Sequence, residues 1–150
     1  MNIEQAINQK KFRNEHHKAH INVIYTATWL HQQTTRALKP FNISWQQFNI
    51  LRILRGMHPE PATVKVLTER MIDKMSNASR LVEKLKQKGF VERQACDDDR
   101  RRVDILITPQ GLDILEKASL KVEEMIDQSK QKITAEEALL LSELLDRLRN

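Results

Sequence analysis

Apolar residues in this chain recur at spacings of three and four almost throughout, and at a spacing of two in one stretch, residues 90–107. The first period belongs to an amphipathic helix and the second to a strand with one buried face. The chain is therefore expected to be mainly α, with one small β-hairpin. Three Gly and four Pro among 150 residues are too few for a loop-rich β protein. Leu, Lys, Glu, Gln and Arg, all good helix formers, are abundant. The length suits a single unit, residues 1–150, and 40% hydrophobic with 30% charged residues suits a soluble, foldable one.

A first helical pattern spans residues 8–39, with Val23, Ala27, Leu30, Thr34 and Ala37 as its stripe and Pro40 as its end. Ser44 and Gln47 form a capping box for a second helix, stapled by Ile43 and Phe48. Pro59 and Pro61 break the chain after it. Thr63 caps a short third helix with Val64, Leu67 and Met71 facing inward. Ile72 and Asp73 read as a tight turn, and a fourth helix follows over residues 74–88, stopped by Gly89. Phe90, Val91 and Arg93 start one strand; Val103, Ile105 and Ile107 mark the second, across a charged loop over residues 94–101. Thr108 and Pro109 open a long helix with Leu115, Ala118, Val122 and Met125 in a stripe, ending at Lys132 and Ile133. Thr134 and Glu137 box the last helix, whose apolar face carries Leu141, Leu144, Leu145 and Leu148.

This order is a winged helix-turn-helix: residues 44–108 form a compact lobe, and residues 8–39 and 109–150 form outer helices. The outer helices carry more apolar surface than a thin flanking layer needs, and a second copy of the chain is the simplest cover, giving a homodimer. Within residues 63–89 the second helix of the motif would enter the major groove of duplex DNA. It offers Ser76, Asn77, Ser79, Arg80 and Lys84 outward, the hydroxyl, amide and cationic groups that read base edges or grip phosphates. Any solvated helix face is polar, so the hairpin adds weight: its tip sets Arg100, Arg101 and Arg102 beside Asp97, Asp98 and Asp99. An Arg on such a tip can reach a narrow minor groove. A formal net charge of +5 and a pI near 9.5 fit a polyanionic partner.

The stretch Ile43 to Leu51 (ISWQQFNIL) resembles the LTxxQxxxL helix start of the MarR family of bacterial transcriptional regulators. Ser79 to Leu85 (SRLVEKL) with Lys88 to Arg93 (KGFVER) resembles its TRLVDRLEEKGLVER segment, and Asp99 to Arg101 with Ile107 to Gly111 (ITPQG) its DRR and LTxxG pieces. The resemblance covers residues 43–111 closely and the flanking helices by order and length. It implies a homodimer with interlocked terminal helices, bound to a pseudo-palindromic operator through two recognition helices and two wings. It implies repression, relieved by a small aromatic or phenolic ligand between the dimer helices and the lobe. Carried over, Ser76, Asn77, Ser79 and Arg80 are readers, Arg100 or Arg101 is the wing-tip residue with Asp99 as its pairing partner, and Thr63 and Lys65 are phosphate contacts. Asp73 and Lys74 replace the Gly-Val pair usual at this turn, and Asp104 puts a charge in the second wing strand.

His20, Tyr25, Trp29, Trp45 and Phe48 are candidates to line a ligand cavity between the first two helices, although helical aromatics are more often core or interface. His16 and His20, one turn apart with His17 adjacent, lack the Cys or paired carboxylate that would complete a metal site. Cys96 sits beside the wing aspartates, which oppose thiolate formation, so no redox role is assigned to it. No phosphate loop, nucleophile elbow, metal site or cofactor motif is recognised, so a non-enzymatic chain without a cofactor is expected. A lone cysteine, no apolar run of membrane-spanning length and no signal sequence point to the cytoplasm and away from membranes. The competing reading is a winged-helix dimer that binds protein and not specific DNA.

Overall fold

A helix can start only where its first N–H groups find acceptors. In the computed structural model, which describes all 150 residues, each of seven α-helices starts behind a side-chain cap. Asn2, Asn14, Ser44, Thr63, Asn77, Thr108 and Thr134 each accept the backbone N–H three residues on. The helices are α1 (Ile3–Ala6), α2 (Glu15–Leu38), α3 (Trp45–Met57), α4 (Val64–Arg70), α5 (Ala78–Gln87), α6 (Pro109–Asp127) and α7 (Ala135–Arg149). Strands β1 (Val91–Ala95) and β2 (Val103–Ile107) lie between α5 and α6. Short 3₁₀ turns follow α2 at Lys39–Phe41 and α6 at Gln128–Gln131.

Two helix starts differ from the sequence expectation. The first long helix begins at Glu15, not residue 8, because Asn14 takes the His17 N–H and Asn8 adopts a left-handed conformation with φ 53°. The preceding arm folds back along α2, with Glu4 2.5 Å from Lys18 and Ile3 buried. The fourth helix starts at Ala78, not residue 74, and the expected tight turn becomes a connection over residues 71–77.

β1 and β2 pair antiparallel, from Val91 opposite Ile107 to Ala95 opposite Val103. Gln94 and Ala95 therefore belong to the strand and not to the loop. Ala62 adds a third, one-residue rung: it exchanges N–H···O bonds of 2.9 and 2.8 Å with Ile105. Ile105 and Ile107 turn inward and share one core with Leu51 and Leu54 of α3, Leu67 of α4, Val82 and Leu85 of α5, and Leu115 of α6. Of the outer helices, α6 joins this core through Leu115, Ala118 and Val122, and the other two contrast with it. Leu38 is the one buried residue of α2, and α7 buries none. Ile24, Trp29 and Leu30 of α2 and Leu139, Leu141 and Leu148 of α7 are exposed in the single chain.

The lobe is latched where α5, the hairpin and α6 meet. Gly89 leaves α5 with φ 78°, as a helix stop requires. The Thr108 hydroxyl donates to the Gly89 carbonyl at 2.6 Å and accepts from the Gly111 N–H at 3.0 Å. A Cβ on Gly111 would stand 2.2 Å from the Phe90 carbonyl oxygen, closer than any relaxed contact. Gly111→Ala is expected to cost about 2–3 kcal/mol, because the obstacle is backbone held by the latch. Urea unfolding checks this, and a loss below roughly 0.5 kcal/mol would mean that the latch shifts freely.

Candidate nucleic-acid interface

The first turn of α5 is set by Asn77, whose Oδ1 accepts the Arg80 N–H at 3.1 Å. Ser76 and Asn77 therefore precede the helix, where the sequence reading had placed them on its outward face. Asn77 still faces the same space as the helix cations, whereas the Ser76 hydroxyl oxygen is buried and not outward as expected. Ser76, Asn77, Arg80 and Lys84 border one shallow hollow of about 430 Å³, together with Gln46 and Asp73. Ser79 is exposed in the first turn. No acidic residue lies in that turn, and Asp73 is the one carboxylate bordering the hollow at the helix start. Glu83, further along, is occupied by Arg93 at 3.1 Å.

Asp73 accounts for the connection into α5. Its carboxylate accepts the Met75 N–H at 3.0 Å and its carbonyl accepts the Ser76 N–H at 3.2 Å. The Met75 hydrogen bond is the main reason its carboxyl is held below the usual aspartate value. Upstream, the Ile72 N–H donates to Asn49 Oδ1 of α3 at 2.9 Å. Asp73 thus supplies by side chain the turn that a Gly-Val pair would make by backbone freedom.

In the wing, Asp99 does not pair with an arginine side chain as expected. Its carboxylate accepts the Arg101 backbone N–H at 2.9 Å, and its carbonyl accepts the Arg102 N–H at 3.0 Å. Asp99 therefore shapes the tip through backbone. The ion pair is Arg102 with Asp104, at 2.8 Å. Arg102 stands one residue before β2 and in phase with Asp104 two positions on, so the pair follows the period-two pattern and explains the charge in β2. Of the three arginines, Arg102 is engaged, while Arg100 and Arg101 are exposed and make no ion pair. Arg80 and Lys84 make none either. Thr63 spends its oxygen as acceptor on the Val66 N–H at 3.2 Å, and Lys65 is exposed beside it. Lys88 turns back into the lobe, donating to the Asn42 carbonyl, and burial and then Lys84 lower its pKa.

Behind the lobe a cleft of about 730 Å³ opens between α2, α3, the end of α6 and residue Ile72. Trp45 and Phe48 line it. His20, Tyr25 and Trp29, the other candidates, do not. Tyr25 borders a smaller apolar hollow of about 310 Å³ with Ile7, Ile21 and Ile24. Trp29 lies under the Lys132 ammonium at 5.6 Å, and His20 is exposed. Several polar lining residues lie outside those candidates, His31, Asn49 and Arg52 among them. His31 stands edge-on to Trp45 at 5.5 Å, and the Arg52 guanidinium lies 5.9 Å over Phe48. His31 was reachable, because it follows Ala27 by four on the stripe already read.

His17 Nδ1 accepts the Arg13 N–H at 3.2 Å and the ring packs edge-on against Phe12, which gives it a structural place in the arm. No group of three His, Cys, Asp or Glu side chains is placed to hold a metal. Cys96 is half-buried, its N–H donating to the Arg102 carbonyl at 3.2 Å. No helix is long and apolar enough to cross a membrane.

Comparison with known proteins gives one consistent result. Residues 43–103 match the model of the MarR family. The uncharacterized HTH-type transcriptional regulator YdcH of Bacillus subtilis is 31% identical over 106 residues, 69% of this chain and 71% of that protein. The organohalide-sensing transcriptional regulator RdhR, in its 2,4-dichlorophenol-bound form, superposes with a TM-score of 0.82 at 24% identity, over 95% of this chain and 86% of that one. A mutant of E. coli MarR complexed with operator DNA superposes at 0.78 and 22% identity, over 93% and 99% of the two chains. At these identities the two structures establish the fold.

The capping geometry makes a direct prediction. Asn77→Ala removes the acceptor for the first turn of α5 and is expected to lower stability by about 1 kcal/mol in urea unfolding. Asn77→Asp keeps the acceptor and is expected to stay within a few tenths of wild type. Equal losses for both variants would show that Asn77 does not act as the cap.

Proposed function

The chain belongs to the MarR family of transcriptional regulators, which are not enzymes, and from that premise we propose that it is a homodimeric repressor acting on a pseudo-palindromic operator in the cytoplasm. The observation that carries the DNA reading is the split between engaged and free cations. Arg93 and Arg102 are held by Glu83 and Asp104, whereas Arg80, Lys84, Arg100 and Arg101 are exposed without acidic partners. Free cations on a helix start and on a hairpin tip suit a major groove and the adjacent minor groove. Asn77 and Ser79 supply hydrogen-bonding groups beside them; the Asn77 amide nitrogen remains available while its oxygen caps the helix. Thr63 and Lys65 contact phosphate, and Asp99 sets the wing tip by its backbone bonds.

The exposed apolar faces of α2 and α7 support a second copy as their cover. In this reading residues 44–108 are the DNA-binding lobe, and residues 8–39 and 109–150 supply the dimer helices. The cleft takes a small aromatic or phenolic effector: Trp45 and Phe48 offer ring faces, and His31 and Arg52 offer polar contacts to a phenolic oxygen. RdhR, with the same fold, was solved with 2,4-dichlorophenol, which makes that compound the first to try.

The test is a titration of the purified protein against duplex DNA from its own upstream region, with a scrambled duplex as control, at several salt concentrations. Binding that favours the native duplex by about 10³-fold or more supports the reading. Arg80→Ala and Arg100→Ala are each expected to weaken binding by about 1–3 kcal/mol, with Arg102→Ala milder. Sedimentation should show a dimer for all three variants. A dimer that binds neither duplex at low salt would move the protein-interaction reading ahead.

A further inference from the structure

We propose that Asn49 is the positioning residue through which occupancy of the cleft reaches the recognition helix. The inference rests on the reading of the cleft as an effector site and adds how that site acts. Asn49 is a buried polar side chain, 7% exposed, on the best-packed helix of the lobe. It lines the cleft, and so does Ile72, whose side chain is 69% exposed. The two are joined by the 2.9 Å bond from the Ile72 N–H to Asn49 Oδ1. A molecule filling the cleft therefore meets both residues that this hydrogen bond joins.

That bond holds the first residue after the cap of α4, where the chain turns toward α5. From there the turn is tied at each step. Asp73 holds the Met75 and Ser76 N–H groups, and Asn77 holds that of Arg80. Nine residues thus run from the cleft wall to the first turn of α5, Ile72 to Arg80. With Asn49 bonded, the turn is anchored to α3 and the α5 start is held for DNA. A ligand oxygen or hydroxyl that draws off the Asn49 amide, or a ring that displaces the Ile72 side chain, releases the anchor. An N–H left without its acceptor is costly, so the turn must move to find another. A single bond of this kind is worth a coupling of roughly tenfold, within the usual range for linked sites.

The experiment measures operator affinity with and without 2,4-dichlorophenol, and again with phenol, and takes the ratio as the coupling. Calorimetry measures probe binding separately. Wild type is expected to lose roughly tenfold in operator affinity when the probe is bound. Asn49→Ala should bind the operator about 3- to 10-fold more weakly without probe, and its coupling ratio should fall toward one. Asn49→Asp keeps an acceptor for the Ile72 N–H and should restore most of the ratio. Ile72→Ala keeps the N–H, removes the displaced side chain at an exposed position and should reduce the ratio; it serves if Asn49→Ala fails to fold. A folded Asn49→Ala or Ile72→Ala protein that binds probe and keeps the full ratio overturns the proposal and leaves the effector site standing. Wild type that binds neither probe removes the effector reading, and this inference with it.

Discussion

The burial of α3 on nearly every side is the constraint from which the other placements follow. A surface helix needs only one apolar stripe, but α3 buries Gln47, Phe48, Asn49, Ile50, Leu51 and Leu54, which between them face all round the axis. Its apolar residues join α5, α6 and the hairpin in one core. Its polar residues face the two places where the lobe has to be held. Gln47 completes its own capping box, and Asn49 takes the Ile72 N–H. A buried amide that fails to find a partner is expensive, so these bonds fix the rotation of α3 as firmly as its leucines do. The cleft and the turn into α5 then meet at one side chain of α3, Asn49, which is why the two are neighbours in so small a chain.

Electrostatics works by local pairing more than by total charge. The surplus of five positive charges is spread over the chain and identifies no surface by itself. Acidic side chains select which cations are left over: Glu83 takes Arg93, and Asp104 takes Arg102. Exposed pairs of this kind contribute little to stability. Their consequence is positional, because they hold one guanidinium to the strand and leave Arg100 and Arg101 at the tip. The wing aspartates are read best in the same way, with Asp99 shaping the backbone rather than cancelling charge.

The element order, the hairpin and most of the core were legible because they rest on periodicity and capping, both local properties of the chain. Ser44, Thr63, Thr108 and Thr134 announced their helices correctly. Asn14 and Asn77 were passed over because the residues before them are also helix-compatible, so propensity alone extended both helices too far. What stayed hidden is tertiary. The Ala62 rung needs Ile105, 43 residues away, and the bond from Ile72 to Asn49 crosses 23. Of the expected cavity residues Trp45 and Phe48 line the cleft, whereas His20, Tyr25 and Trp29 do not, and His31, Asn49 and Arg52 line it instead. Residue type suggested aromatic walls; only helix rotation, set by Leu38 and the α3 core, decides which side chains reach them.

The terminal helices raise a different physical question, since a 15-residue helix in water is marginal on its own. α7 has a complete capping box at Thr134 and Glu137, acidic residues in its first turn and Arg147 and Arg149 in its last. These favour the helix locally but contribute only tenths to about one kcal/mol each. Against them stands a row of exposed leucines, Leu141, Leu144 and Leu148, left uncovered in the single chain. Covering apolar surface is worth about 25 cal/mol per Å², far more than the caps over a helix of this length. The stability of α7 therefore depends on what covers it, and α2 presents the same need through Ile24, Trp29 and Leu30. If a second copy answers both, folding of the outer helices and pairing of two DNA-binding lobes become a single event. The spacing between the two α5 helices is then set by the same contacts that make the termini fold at all.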